Sequence, residues 1–236
     1  MLDRAAAALL CGYALLLVWR GRLWLPVTLP IGARHARWAA GLWLGYGLPA
    51  IAVLAVWGKL ATVAGLAVEF APLAVALDLM PGMIGIGTVA AGLAAGSVLG
   101  LLATWWRARR GRAPWTAGDA RSIMPHEDGE LLPAALLAAS AGVTEELFFR
   151  LALPLAVAML SGSGLAGCAA GTVCFALQHR YQGWAGVVAT GIGGALMTAL
   201  YLGSGGLWLP IAAHALTDVN ALVLRPALSA RVRRRR

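Results

Sequence analysis

Seven apolar runs follow one another along the chain, near residues 5–19, 38–58, 83–106, 131–160, 164–179, 185–202 and 206–224. A helix crosses a hydrocarbon layer in roughly 20 residues, so most of these runs have the length of a bilayer crossing. Inside such a layer no water is available to the backbone, and each run must satisfy its own hydrogen bonds as a helix. The expected fold is therefore all-α, a polytopic helical membrane bundle of about seven transmembrane spans. Composition agrees, with 60% of the 236 residues hydrophobic and 12% charged. A soluble domain carries about 25% charged residues.

The stretch 59–82 is apolar too, but it holds Glu69, Pro72, Asp78 and Pro81. It reads as an interfacial or re-entrant segment, because irregular polar backbone is not left facing lipid. The basic residues test this choice. With the N-terminus outside and seven crossings, one inner loop collects Arg20, Arg22, Arg34 and Arg37. The next collects Arg107, Arg109, Arg110, Arg112 and Arg121, followed by Arg180 and then by Arg225 with the tail arginines Arg231 and Arg233 to Arg236. Only Arg4 and Lys59 fall outside, as the positive-inside rule demands. An eighth crossing at 59–82 would scatter these clusters over both faces.

The net charge of +9 thus belongs to short loops and a tail at one membrane face, and nucleic acid is not an expected partner. One Lys against 18 Arg, with abundant Ala and Gly, fits a GC-rich bacterial genome. "MLDRAAAALLCGYALLLVW" is followed by Arg20 and Arg22 without a small-x-small cleavage site, so it reads as a retained first span. Cys11, Cys168 and Cys174 lie in apolar runs without metal-ligand spacing and read as small buried residues. Gly92, Gly96 and Gly100 are spaced by four, as are Gly41 with Gly45 and Gly167 with Gly171. This spacing predicts flat helix faces for close packing. Trp105 and Trp106 fit an interfacial aromatic belt. With no internal repeat, 1–236 is one membrane domain: N-terminal spans 1–106, a cytoplasmic loop 107–130, catalytic helices 131–224 and a basic tail 225–236.

Ionisable groups at mid-span cost roughly 2.5–3.5 kcal/mol each on insertion scales, so their presence calls for a function. Away from the loops they fall in the second half: Glu145, Glu146, Arg150, His179, His214 and Asp218. At about 100° per residue, Glu146 and Arg150 share a helix face and can pair, while Glu145 turns about 100° away toward a neighbour. His214 and Asp218 also share a face one turn apart. Asn220 points elsewhere on an ideal helix. A purely structural ion network would account for Glu145, Glu146 and Arg150 alone. Two histidines and two carboxylates from three different helices are more than such a network needs. No GxSxG or HExxH occurs, so a serine nucleophile or a zinc protease motif is not indicated.

"EELFFR", "FALQH" and "HALTD" match, in order and spacing, the EExxxR, FxxxH and HxxxN/D motifs of the CAAX protease and bacteriocin-processing family. The chain resembles these intramembrane glutamic endopeptidases, which include the type 2 CAAX prenyl proteases. The motifs cover about a third of the chain, and the family's N-terminal half is variable. The resemblance implies that Glu145 is the general base activating a water and that His179 shares that water and shuttles the proton. It implies that His214 and Asp218 stabilise the oxyanion, and that Glu146 and Arg150 orient the site. Many relatives have Asn where this chain has Asp218. A carboxylate accepts where an amide donates, so Asp218 is expected to hold His214 in its charged or correct tautomeric form.

No cofactor is expected, a metal-free glutamate mechanism being favoured over zinc. The substrate would be a membrane-anchored protein or peptide: a prenylated tail, a bacteriocin leader or a sorting-signal anchor. The expected location is a bacterial inner membrane, multi-pass, with the C-terminus cytoplasmic. The helix over 131–160 is too long for the bilayer and is expected to project inward, so that a water-filled cavity open to the cytoplasmic side reaches Glu145 and His179. The rival readings are a non-catalytic immunity or partner-binding scaffold, and a proton-coupled carrier. A carrier predicts paired interrupted helices in matching halves, and the sequence shows no such internal symmetry.

Overall fold

The structure is a computed structural model that describes residues 1–21, 29–120 and 123–235. Arg22, Arg121 and Arg236 of the expected inner clusters lie outside the described residues. The described residues are helical, without strands. Helix α1 spans Leu2–Arg20 and α2 spans Ile31–Val56. A short α3 (Ala71–Ala76) precedes α4 (Ile86–Ala108). Helix α5 runs over 131–161, α6 over Gly164–Gln178, α7 over Gly183–Ser204 and α8 over 208–234. Among the described residues, Leu2–Arg20, Ile31–Val56, Ile86–Ala108 and the α6–α7 stretch Gly164–Ser204 are long and apolar enough to cross a membrane. Helix α5 is longer than α2 but carries Glu145, Glu146 and Arg150 in its middle.

Contacts between helix ends show how the chain runs. At one end of the bundle Arg180 Nη2 donates to Trp19 O, Asp119 N–H to Gln182 O, and Arg234 to the Asp128 carboxylate. His35 Nε2 meets Ile123 O there, at 2.9 Å. At the other end Trp57 Nε1 donates to Asp3 O, Ile84 N–H to Gly203 O, and Leu207 N–H to Val63 O. Lys59 and Glu69 pair there at 2.7 Å. The described chain therefore traverses the bundle seven times, and 59–82 stays at one end as short helical turns. The arginine clusters gather at the opposite end.

Large apolar side chains such as Leu9, Leu99, Leu136, Leu165 and Ile192 point outward, while Glu146 and Arg150 are sealed inside. Apolar residues outside and charges inside invert the pattern of a soluble protein. The chain is a multi-pass membrane protein. Helix α5 is central, with α1, α2, α6 and α8 all packed on it.

The glycine expectation divides. A Cβ at Gly167 or Gly171 would strike the backbone oxygens of Pro154 and Phe149, so these glycines bring α6 against α5. On α4 the expectation is corrected: a Cβ at Gly92 or Gly96 would meet nothing within 4 Å. Helix α4 is peripheral, burying only Thr104 and Ala108 among its residues. Gly100 alone of this face is in contact, and what it clears is the Arg225 side chain. Spacing by four is the same whether a helix face meets another helix or lipid.

Among the described residues three π-helical turns interrupt the long helices, at Trp43–Gly47, Leu147–Ala152 and Asn220–Leu224. Each is followed two residues on by proline: Pro49, Pro154 and Pro226. Proline has no N–H for the carbonyl four residues back, and its ring crowds that carbonyl. Those carbonyls belong to Gly45, Arg150 and Leu222, all within the widened turns. A widened turn relieves the crowding without breaking the helix.

Candidate active site

The acidic pair comes from the last turn of α5 before its π segment, where Glu145 is 8% exposed and Glu146 fully buried. Arg150 follows inside the π turn and is the largest fully buried side chain among the described residues. Its Nε lies 3.3 Å from Glu146 Oε2, the pairing expected from helical spacing. Among the described residues nothing else charged meets the guanidinium. Its other face lies on the Phe175 ring, Cζ 4.3 Å from the centroid. Gly194 on α7 leaves the room, since a Cβ there would come within 3.3 Å of Nη2.

His214 reaches this pair from α8. Its Nδ1 is 2.8 Å from Glu146 Oε1, while Nε2 stands 3.8 Å from Glu145 Oε2 and 3.6 Å from Asp218 Oδ2. Glu146 thus joins Arg150 on one oxygen and His214 on the other, and as the acceptor it holds a proton on Nδ1. The hydrogen-bonded partner that holds His214 is Glu146, and Asp218 stands farther off beside Nε2. The close approach of the two helices rests on Gly142, whose Cβ would lie 2.8 Å from Ala215 N.

His179 sits where α6 ends. Its Nδ1 is 2.9 Å from Phe175 O, which leaves Nε2 as the acceptor of the neutral ring. It shares no direct hydrogen bond with Glu145. Phe175 links the groups instead, its ring 4.7 Å from that of His179 and edge-on to His214 at 5.9 Å.

Glu145, His214 and Asp218 lie on the wall of a cavity of about 360 Å³. Trp38, Leu137, Phe175 and Met197 make the wall mostly apolar, and residues 115–117 of the inter-helix loop line its arginine-rich end. The sequence expects a cavity at this end; its lining suits an apolar chain as much as water. Among the described residues no three His, Cys, Asp or Glu side chains are grouped to hold a metal ion. The His214 nitrogens are turned to carboxylates, and Glu146 is already matched by Arg150.

Sequence reasoning treats Phe175 as a motif letter, yet it is the floor on which Arg150, His179 and His214 meet. Its position four residues before His179, on the same helix face, is the signal. Gly142 and Asn220 carried no comparable mark. Asn220 is buried in the third π turn, where its Oδ1 accepts from Arg225 Nε at 2.8 Å.

Residues 127–220 match the family model of the type II CAAX prenyl endopeptidase Rce1-like proteins. The match bears out the resemblance read from the motifs. The matched segment takes in Glu145, Glu146, Arg150, His179, His214 and Asp218. No curated protein and no solved structure matches the chain.

Proposed function

We propose that this protein is an intramembrane glutamic endopeptidase that hydrolyses a peptide bond near the membrane in a lipid-anchored or membrane-bound substrate. The observation that carries the reading is the convergence of Glu145, His214 and Asp218, from two helices, on the wall of one cavity. Glu145 takes a proton from a water held between its carboxylate and His179 Nε2. The resulting hydroxide adds to the scissile carbonyl carbon. His214, its Nδ1–H held by Glu146, offers Nε2–H to the oxyanion, and Asp218 keeps that ring protonated. The proton taken from water passes by way of His179 to the amide nitrogen as the C–N bond breaks. A carboxylate with little solvent is a stronger base, and a preorganised donor in a dry site is worth more than in water. Arg150 balances Glu146, so the orienting pair adds no uncompensated charge.

The reading involves no metal step. The arginine-rich end would face the cytoplasm of a bacterial inner membrane, with the C-terminus on that side. A farnesylated peptide ending in a Cys-aliphatic-aliphatic-Ser sequence, offered to the protein in nanodiscs, tests this. Cleavage by wild type, lost in Glu145→Gln and unchanged by a chelator, is expected. Cleavage that persists in Glu145→Gln overturns the glutamate mechanism, and a chelator-sensitive reaction overturns its metal-free form.

A further inference from the structure

The active-site cavity carries a cation that the mechanism does not use. Arg225 lies on the same wall as His214, Asp218 and Leu222. It lies outside the Rce1-like segment, so no motif assigns it a role. Its Nε donates to the neutral Asn220 Oδ1, and no carboxylate among the described residues is within ion-pairing distance. Arg150, by contrast, is matched by Glu146 and Phe175. Gly100 clears space for the guanidinium, because a Cβ there would collide with Nη2. With Nε engaged, the paired Nη groups remain as a fork suited to two carboxylate oxygens.

We propose that Arg225 anchors a substrate carboxylate a few residues beyond the scissile bond on its C-terminal side. The inference rests on the endopeptidase reading, which places bond cleavage at Glu145 and His214. Arg225 lies eleven positions beyond His214. At about 1.5 Å per residue the two Cα positions stand roughly 16 Å apart along α8. Extended peptide covers about 3.4 Å per residue, so roughly five residues span that distance, and about three do where the Arg225 side chain reaches back toward His214. The carboxylate is then the free C-terminus of a short tail or an acidic side chain at the same reach. In a mostly apolar cavity a matched anion is worth far more there than at the surface. Arg225 is thereby a positioning and specificity residue that sets where a chain is cut.

The test reads binding in Glu145→Gln protein in nanodiscs, so that failure of cleavage does not decide it. Three fluorescent farnesylated peptides share the sequence ending Cys-Val-Ile-Ser: the free acid, the C-terminal amide, and an amide with Asp in place of the final Ser. The acid should bind at least about tenfold more tightly than the plain amide, the size of a hydrogen-bonded charge contact. Adding Arg225→Gln should bring that ratio to about one, with Arg225→Lys between. Tight binding of the Asp amide assigns the site to any carboxylate, and weak binding assigns it to the chain end. Equal binding of acid and amide with Arg225 in place overturns the proposal, as does a ratio that survives Arg225→Gln. If both variants are poorly folded, the acid-to-amide ratio with Arg225 in place decides alone.

Discussion

Two adjacent glutamates sit in different physical situations, and this separates their expected effects. Glu146 has no exposure and faces Arg150 and His214. Removing its charge leaves a buried guanidinium unmatched, a loss of about 3–5 kcal/mol in known buried pairs. Glu146→Gln should therefore lower the melting temperature sharply along with activity. Glu145 has its nearest ionic partner 3.8 Å away, so Glu145→Gln should abolish cleavage and leave melting unchanged. Thermal unfolding in nanodiscs checks both. Phe175→Leu keeps apolar volume and removes the face beneath Arg150, a contact worth about 0.5–2 kcal/mol. It should lower melting modestly and also slow cleavage, since both histidines rest on the same ring. The order of Glu145, Glu146, Arg150, His179, His214 and Asp218 was legible because helical spacing and motif order are properties of the chain. The 2.8 Å contact of Glu146 with His214 was not, because it depends on where two distant helices cross.

That crossing belongs to the scale of elements. Gly142 lies against Ala215 near the point where α5 delivers Glu146 to His214. Gly142→Ala should force the helices apart at a cost of about 1–3 kcal/mol, as overpacking does, and reduce activity with it. Gly96→Ala should change neither, since its Cβ would meet nothing. Melting and cleavage measured on the two variants side by side check this. Prolines 49, 154 and 226 mark the π turns in the sequence, and their regular offset is a signal that composition and hydropathy do not convey. The helix limits were legible from apolar length except at the start of α2, which begins at Ile31, and the end of α8, which runs on to Arg234. The packing partner of each small-residue face was not, as the difference between Gly96 and Gly171 shows.

At the scale of the whole molecule the charge pattern and the path of the chain agree. The hydrogen-bonded ends place 111 and 227 with the arginine clusters, and 58 and 82 at the opposite end. In a background with Cys11, Cys168 and Cys174 replaced by Ala, single cysteines at 111 and 227 should react with a membrane-impermeant thiol reagent only from the cytoplasmic side. Those at 58 and 82 should react only from outside, and labelling of all four from one side contradicts the topology. The seven-run architecture was legible because bilayer thickness imposes it. The apolar cavity with Arg225 on its wall was not, because a cavity is made by surfaces from several helices at once.

The most direct test of the central claim is to compare membrane and secreted protein termini, by mass spectrometry, in cells producing wild type or Glu145→Gln at matched levels. The account predicts new uncut species confined to the variant, each with its lost cleavage site next to a membrane anchor. Identical termini, with a wild-type phenotype that the variant retains, would contradict it and favour a non-catalytic scaffold.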